Sequence, residues 1–251
     1  MGLLQLLLLS LLALGISCLF SMVGMGGGQL YMPIFYWLGM QLKAEAIPTA
    51  LLLNFLTQFS ATITYLRKRL VAIETVIPFV ITMAFFPLLG AYLTGLFPDK
   101  VIFLIFAILL IAVAIKMLAE WKPKKAEMSK RGKFVVGIVA GAIIGILVGM
   151  LGRGGGSFVV PVLLLIGFAP KTAAATSSFI VCFSAFTGFL GHISVGNIGL
   201  HLLPVGLAAI IGSQIGSRLM ARKLKQKTIK KIFASVLAGV GILMIINLFK
   251  G

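Results

Sequence analysis

Long apolar runs separated by short polar stretches dominate the chain, and they fall into two series of five. In the first series they cover roughly Leu3 to Val23, Gly28 to Gly39, Ile47 to Leu66, Thr75 to Phe97 and Lys100 to Ala119. In the second they cover roughly Phe134 to Leu151, Gly156 to Gly167, Thr172 to Leu190, Leu200 to Met220 and Thr228 to Leu248. Most of these runs approach the length that crosses a bilayer as a helix, and none shows the strict alternation of a barrel strand. A helix satisfies its own backbone polar groups in lipid, so the pattern predicts an all-α membrane protein. The first run carries neither a positive leader nor a small-residue cleavage site, and it reads as a retained span rather than a signal peptide. The second run of each series is short. Twelve residues, Gly28 to Gly39, make about 18 Å of helix against roughly 30 Å of hydrocarbon, so this segment is expected to be broken or partly sunk in protein.

A motif relates the two series. Gly24-Met25-Gly26-Gly27-Gly28 precedes Pro33 and returns as Gly152-Arg153-Gly154-Gly155-Gly156 before Pro161, and Lys43 and Lys171 each follow their proline by ten residues. Residues 1–119 are therefore expected to form a first transmembrane repeat, 120–133 a basic cytoplasmic linker and 134–251 a second repeat. Five crossings per copy turn the second copy over in the membrane. The expected architecture is two inverted-topology repeats with glycine-broken helices, and matching breaks in two halves point to a transporter's substrate site. Glycine lets backbone bend and be approached closely, and the helix that follows presents unpaired amide hydrogens suited to an anion. The competing reading is that the glycines only let helices cross closely. Small residues at four-residue spacing, Gly137 to Gly149, Ala13-Ser17-Ser21 and Gly212-Gly216, are expected to do just that.

Charge adds orientation. Lys and Arg number 22 against 5 Asp and Glu, giving a formal net charge of +17. On a soluble surface such an excess suggests nucleic acid, but here it sits in short loops between apolar runs, so no nucleic-acid partner is expected and the lipid bilayer is. The basic stretches Arg67-Lys68-Arg69, Lys122 to Lys133 and Arg218 to Lys231 all fall on one side if ten segments cross. By the positive-inside rule that side is the cytoplasm of a cell-membrane protein, which puts both termini outside.

Candidate chemistry is sparse and uneven. The five acidic residues, Glu45, Glu74, Asp99, Glu120 and Glu127, all stand at segment ends or in loops, which disfavours a carboxylate proton relay and a divalent-metal site. With only His192 and His201 as bases an enzyme is not expected, nor is any cofactor. Cys18 and Cys182 lie inside apolar runs and read as small buried residues. Arg153 is the one cation embedded in an apolar context; its planar donor fork suits an oxyanion, or it snorkels from a helix end. Polar neutral residues gather in the third segment of each half, Thr49, Asn54, Thr57 and Gln58 in the first, Thr176, Ser177, Ser178 and Ser184 in the second. Hydroxyls and amides bind an oxyanion without burying a second charge, although Ser and Thr also bond to their own helix. The candidate substrate-binding set is therefore Gly26, Gly27, Gly28, Gln29, Thr49, Asn54, Gln58, Arg153, Gly154, Gly155, Gly156, Ser157, Thr176, Ser177 and Ser178. Lys43 and Lys171 are interfacial anchors or recruit anions at the two mouths.

The doubled glycine motif with Pro33 and Pro161, together with Lys171-Thr172-Ala173-Ala174-Ala175-Thr176-Ser177-Ser178 and the later Gly188, Gly196-Asn197-Ile198 and Gly212, resembles the TauE/SafE family of membrane permeases. The first repeat departs from the second in having Pro48-Thr49 where the second has Thr176-Ser177. The resemblance spans about Leu11 to Leu248 and implies transport of small sulfur-containing anions, sulfite or organosulfonates. Export by alternating access, driven by the membrane potential or an ion gradient, is the expected function. An anion channel or a permease for another small solute are the alternatives.

Overall fold

The computed structural model describes residues 3–41, 45–93, 130–151, 156–165, 167–193 and 202–225, with scattered positions at 108–115 and 228–242. The described residues hold helices and no strand. We number them α1 (Leu3–Val23), α2 (Gly28–Trp37), α3 (Ile47–Arg67), α4 (Ile73–Leu93), α5 (Lys130–Leu151), α6 (Gly156–Leu165), α7 (Pro170–Ile193) and α8 (Leu203–Arg222). The expected segment Lys100 to Ala119 and the linker as far as residue 129 lie essentially outside the described residues, and of Thr228 to Leu248 the described positions, 228–229, 231–232, 234–236, 238–239 and 242, are helical. Among the described residues, three helices are long and apolar enough to cross a membrane: Leu4–Val23, Pro170–Leu190 and Leu203–Arg222.

Helix ends follow local chemistry. Pro48 and Pro204 stand in the first turns of α3 and α8, where a missing amide hydrogen costs nothing. Pro170 likewise starts α7, two residues before the run expected from hydropathy alone. The short helices end alike in both halves. Gly39 (φ 86°) and Gly167 (φ 101°) take the left-handed conformation. The next amides then turn back onto the helix, Met40 N–H to the Phe35 carbonyl at 3.1 Å and Phe168 N–H to the Leu163 carbonyl at 3.0 Å, which closes the last turn. Both helices thus stop two residues before the glycine, at Trp37 and Leu165. Ten residues give each about 15 Å, roughly half the hydrocarbon core.

Residue size, more than polarity, sorts the faces of α8. On α8, Val205, Gly206, Ala209, Gly212, Ser213, Gly216 and Ser217 are buried, while Leu203, Leu207, Ile211 and Ile215 are exposed. On α1 the small residues Ala13, Ser17 and Ser21 are buried beside Leu9, Ile16 and Phe20, and Leu4, Leu8 and Leu11 face outward. In lipid, large apolar side chains gain nothing by turning inward, and small ones let backbones approach. The resulting contacts are close: a methyl group at Gly212 would overlap the Leu14 carbonyl oxygen, and one at Gly216 the Cys18 carbonyl oxygen. Across the molecule Gly137 and Gly141 of α5 lie against Pro78 and Thr82 of α4.

The pairing is reciprocal between halves. α1 packs along α8, α4 packs along α5, and α3 and α7 meet at the centre. Each short helix, α2 or α6, lies on the α3 or α7 of its own half.

Replacing Gly212 or Gly216 by Val forces a side chain into backbone and should cost about 1–3 kcal/mol. Gly15, beside which a methyl group would meet nothing, provides the control, since Gly15→Ala in mid-helix should gain roughly 0.5–1 kcal/mol. Thermal unfolding in detergent should order the variants Gly15→Ala, parent, Gly212→Val from most to least stable.

Candidate functional site

The break between α1 and α2 is built from glycine because no other residue fits its backbone. Gly24 (φ 71°) and Gly26 (φ 73°) are both left-handed, a region costly for any side chain. The Gly24 and Met25 amides close on the Phe20 carbonyl at 2.9 and 3.3 Å, while the Leu30 and Tyr31 amides start the next helix on the Gly27 carbonyl at 2.9 and 3.0 Å. Space is as restrictive as dihedral angle. A methyl group at Gly24 would overlap the Ala174 carbonyl of α7, and one at Gly26 the side-chain amide of Asn54 on α3. Both helices of the central pair thus press on the break.

α7 also bonds to it. The Ser177 hydroxyl donates to the Gly24 carbonyl at 2.6 Å, and the Thr176 hydroxyl accepts from the Ala72 amide at 3.0 Å, tying α7 to the turn after α3. These two candidates hold backbone in this conformation. Others do not. Thr49, Asn54, Gln58 and Ser178 are at most 2% exposed, yet Thr49 Oγ1, Asn54 Oδ1, both amide atoms of Gln58 and Ser178 Oγ have no hydrogen-bond partner. An unmatched buried polar atom costs about 1–3 kcal/mol. Asn54 and Gln58 stand four apart on one face of α3, and the Asn54 amide lies against Gly26 and Gly28. A short row of unmet donors and acceptors therefore runs from the glycine break along the centre of the molecule. No carboxylate occurs on α3 or on α1, α2, α7 and α8, which pack against it.

Around this row α3 is bolted in place. The Ser17 hydroxyl donates to the Ala13 carbonyl at 2.6 Å and lies 2.6 Å from the Tyr31 hydroxyl and 3.3 Å from the Thr57 hydroxyl. Ser213 of α8 donates to the Thr57 carbonyl at 2.6 Å, and Tyr65 donates to the Ser21 carbonyl at 2.6 Å. Gln214 donates to both the carbonyl and the hydroxyl of Ser60 at 2.8 Å. Tyr31, Tyr65, Ser213 and Gln214 were not among the candidates, and lone polar residues in apolar runs give little warning of such partners. Buried Thr62 Oγ1 and Ser184 Oγ are also unpartnered.

Gln29 and Ser157 occupy the first turns of α2 and α6, and Gly156 opens α6. Arg153, Gly154, Gly155, Lys43 and His201 lie outside the described residues. Lys171 Nζ donates to the Ala221 carbonyl near the end of α8 at 3.4 Å, an anchoring contact. Cys18 and Cys182 are free thiols, half-buried and buried.

A family model described as sulfite exporter TauE/SafE matches residues 9–244. The chain is 29% identical to the probable membrane transporter protein YunE of Bacillus subtilis, over 88% of this chain and 90% of that one. It is 29% identical to the probable membrane transporter protein y4hK of Sinorhizobium fredii, over 82% and 86%. A shorter match, 32% identical over 37% of this chain and 22% of the other, is to sulfite exporter TauE/SafE family protein 1 of Arabidopsis thaliana. No solved structure matches.

Two substitutions probe the break. Gly26→Ala should destabilise by more than the roughly 1–2 kcal/mol of a left-handed alanine, because the new methyl also meets Asn54. Asn54→Ala in the same chain should return part of that loss, so that unfolding of the two single variants and the double variant yields a coupling of at least about 0.5 kcal/mol. Ser177→Ala strands the Gly24 carbonyl and should cost about 1–3 kcal/mol in the same measurement.

Proposed function

The chain belongs to the sulfite exporter TauE/SafE family, and from that premise we propose that it exports small sulfur-containing anions, sulfite or an organosulfonate, across the cell membrane. The observation that carries this reading is the buried row of unpartnered groups, Asn54 and Gln58 above all, abutting the Gly24–Gly28 break. Natural proteins rarely leave buried polar atoms unmatched. A ligand that brings its own partners accounts for them, and the absence of carboxylates along α3 and its neighbours favours an anion.

Alternating access of the two halves is the proposed mechanism. Reciprocal packing of α1 on α8 and α4 on α5, with α3 and α7 at the centre, is the relation expected of repeats 1–119 and 134–251 turned over with respect to each other. The matching left-handed Gly39 and Gly167 support the same reading. In this arrangement the basic loops face the cytoplasm and both termini lie outside. Arg153 supplies a fixed positive charge at the second glycine cluster, with Gly154, Gly155, Gly156 and Ser157 beside it. An inside-negative potential expels each negative charge with about 2.3 kcal/mol per 100 mV, so outward flux needs no coupling carboxylate; an ion gradient is the other source of drive.

Flux of labelled sulfite, sulfate and an organosulfonate in proteoliposomes under an imposed potential tests this. Saturable, potential-dependent flux is expected. A hydrogen bond to a charged group contributes about 1.5–3 kcal/mol, so Arg153→Ala and Asn54→Ala should each lower transport about tenfold or more. Flux that does not saturate would mean a channel, and no movement of any sulfur anion would overturn the assignment.

A further inference from the structure

The unmet groups on α3 are of two kinds, and the difference bears on the ligand. Gln58 is fully buried, and neither its Oε1 nor its Nε2 has a partner. Whichever way its amide is turned, one acceptor and one donor group are left over. Asn54 Oδ1, one helical turn away, is a further acceptor without a partner. An anion that carries only lone pairs satisfies the donor and sets oxygen against oxygen at the acceptors. A ligand must bring a hydrogen of its own to meet them.

Among the described residues, the surrounding helices offer no substitute. Those packed on α3 are α1, α2, α7 and α8, and their charged side chains, with that of α3 itself, are Arg67, Lys171, Arg218 and Arg222, all cationic and all at or near helix ends. The other titratable groups with described side chains on these helices are Tyr31 and Tyr65, whose hydroxyls are engaged with Ser17 and the Ser21 carbonyl, and the thiols Cys18 and Cys182. The Thr57 hydroxyl, next to Gln58 in the chain, already donates to the Leu53 carbonyl at 2.7 Å.

We propose that the carried species is a hydrogen-bearing sulfur monoanion: one negative charge, acceptor oxygens, and at least one O–H or N–H donor that Gln58 and Asn54 accept. This rests on the transporter reading above. Bisulfite has this chemistry, as does a sulfonate bearing a hydroxyl; the fully deprotonated sulfite dianion and a plain alkylsulfonate do not.

Counting charge tests the proposal. In sodium-free proteoliposomes with equal pH on both sides and a tenfold gradient of labelled sulfite, the potential at which net flux vanishes should be about 59 mV for one charge per sulfur and half that for two. One charge is expected, and two overturn the proposal while leaving anion transport intact. Ethanesulfonate and hydroxyethanesulfonate, which differ by one hydroxyl, form the second arm. The hydroxylated compound should move at least tenfold faster in the parent, and Gln58→Leu should erase that preference. Equal rates for the two sulfonates in the parent overturn the donor requirement without any variant. Charge of one with neither sulfonate transported assigns bisulfite as the ligand. Failure of every sulfur anion to move defeats both this proposal and the transporter assignment.

Discussion

A helix that stops in the buried interior leaves amides and carbonyls that need partners, and covering one such break is the constraint on which the rest of this structure depends. The Gly24 carbonyl receives the Ser177 hydroxyl at 2.6 Å, and Ala174 and Asn54 press so closely that only glycine fits at positions 24 and 26. That requirement places α7 on the break between α1 and α2 and brings the two halves into contact at their centres. α1 against α8 and α4 against α5 then complete the arrangement.

α3 obeys a different rule from its neighbours. On α8 small residues turn inward and large apolar ones outward, which suits a lipid surround. On α3 the inward face carries Thr49, Asn54, Thr57, Gln58, Ser60, Thr62 and Thr64, all buried. Part of this polarity is structural: Ser60 and Thr64 engage Gln214, and Thr57 joins Ser17 and Ser213. The remainder is unmatched, and within it the Asn54 amide adjoins the glycine break. The same helix thus acts as a bolt toward α8 and as an open set of donors and acceptors beside Gly26.

Much of this was legible in the sequence, because hydropathy and glycine act locally. α1 was expected at Leu3 to Val23 and lies there; the short helices begin at Gly28 and Gly156 as expected. Their ends fell two residues short of the expected glycines because a left-handed glycine closes a helix ahead of itself. The small-residue stripes at Gly137-Gly141 and Gly212-Gly216 were expected to make close contacts, and they do. What the sequence withheld is pairing. Thr176, Ser177, Thr49 and Gln58 look alike along the chain, and only the fold separates the two that hold backbone from the two left without partners. Likewise nothing near Tyr31 or Gln214 announces Ser17 or Ser60.

The reciprocal packing of halves also governs how the protein can be made. α1 ends at Val23 and its partner α8 begins at Leu203; at roughly 5–20 residues per second of synthesis, α1 spends about ten to forty seconds in the bilayer before that partner exists. Its inward stripe carries Ser17 and Ser21, with the half-buried Ser10 further along the helix, and each hydroxyl donates to a carbonyl of its own helix, Ala13, Cys18 and Leu6 respectively. Such back-bonding is worth little to the finished fold. During the wait it leaves α1 with no unmet polar group along that stripe, so the helix can stand alone in lipid without recruiting the wrong neighbour.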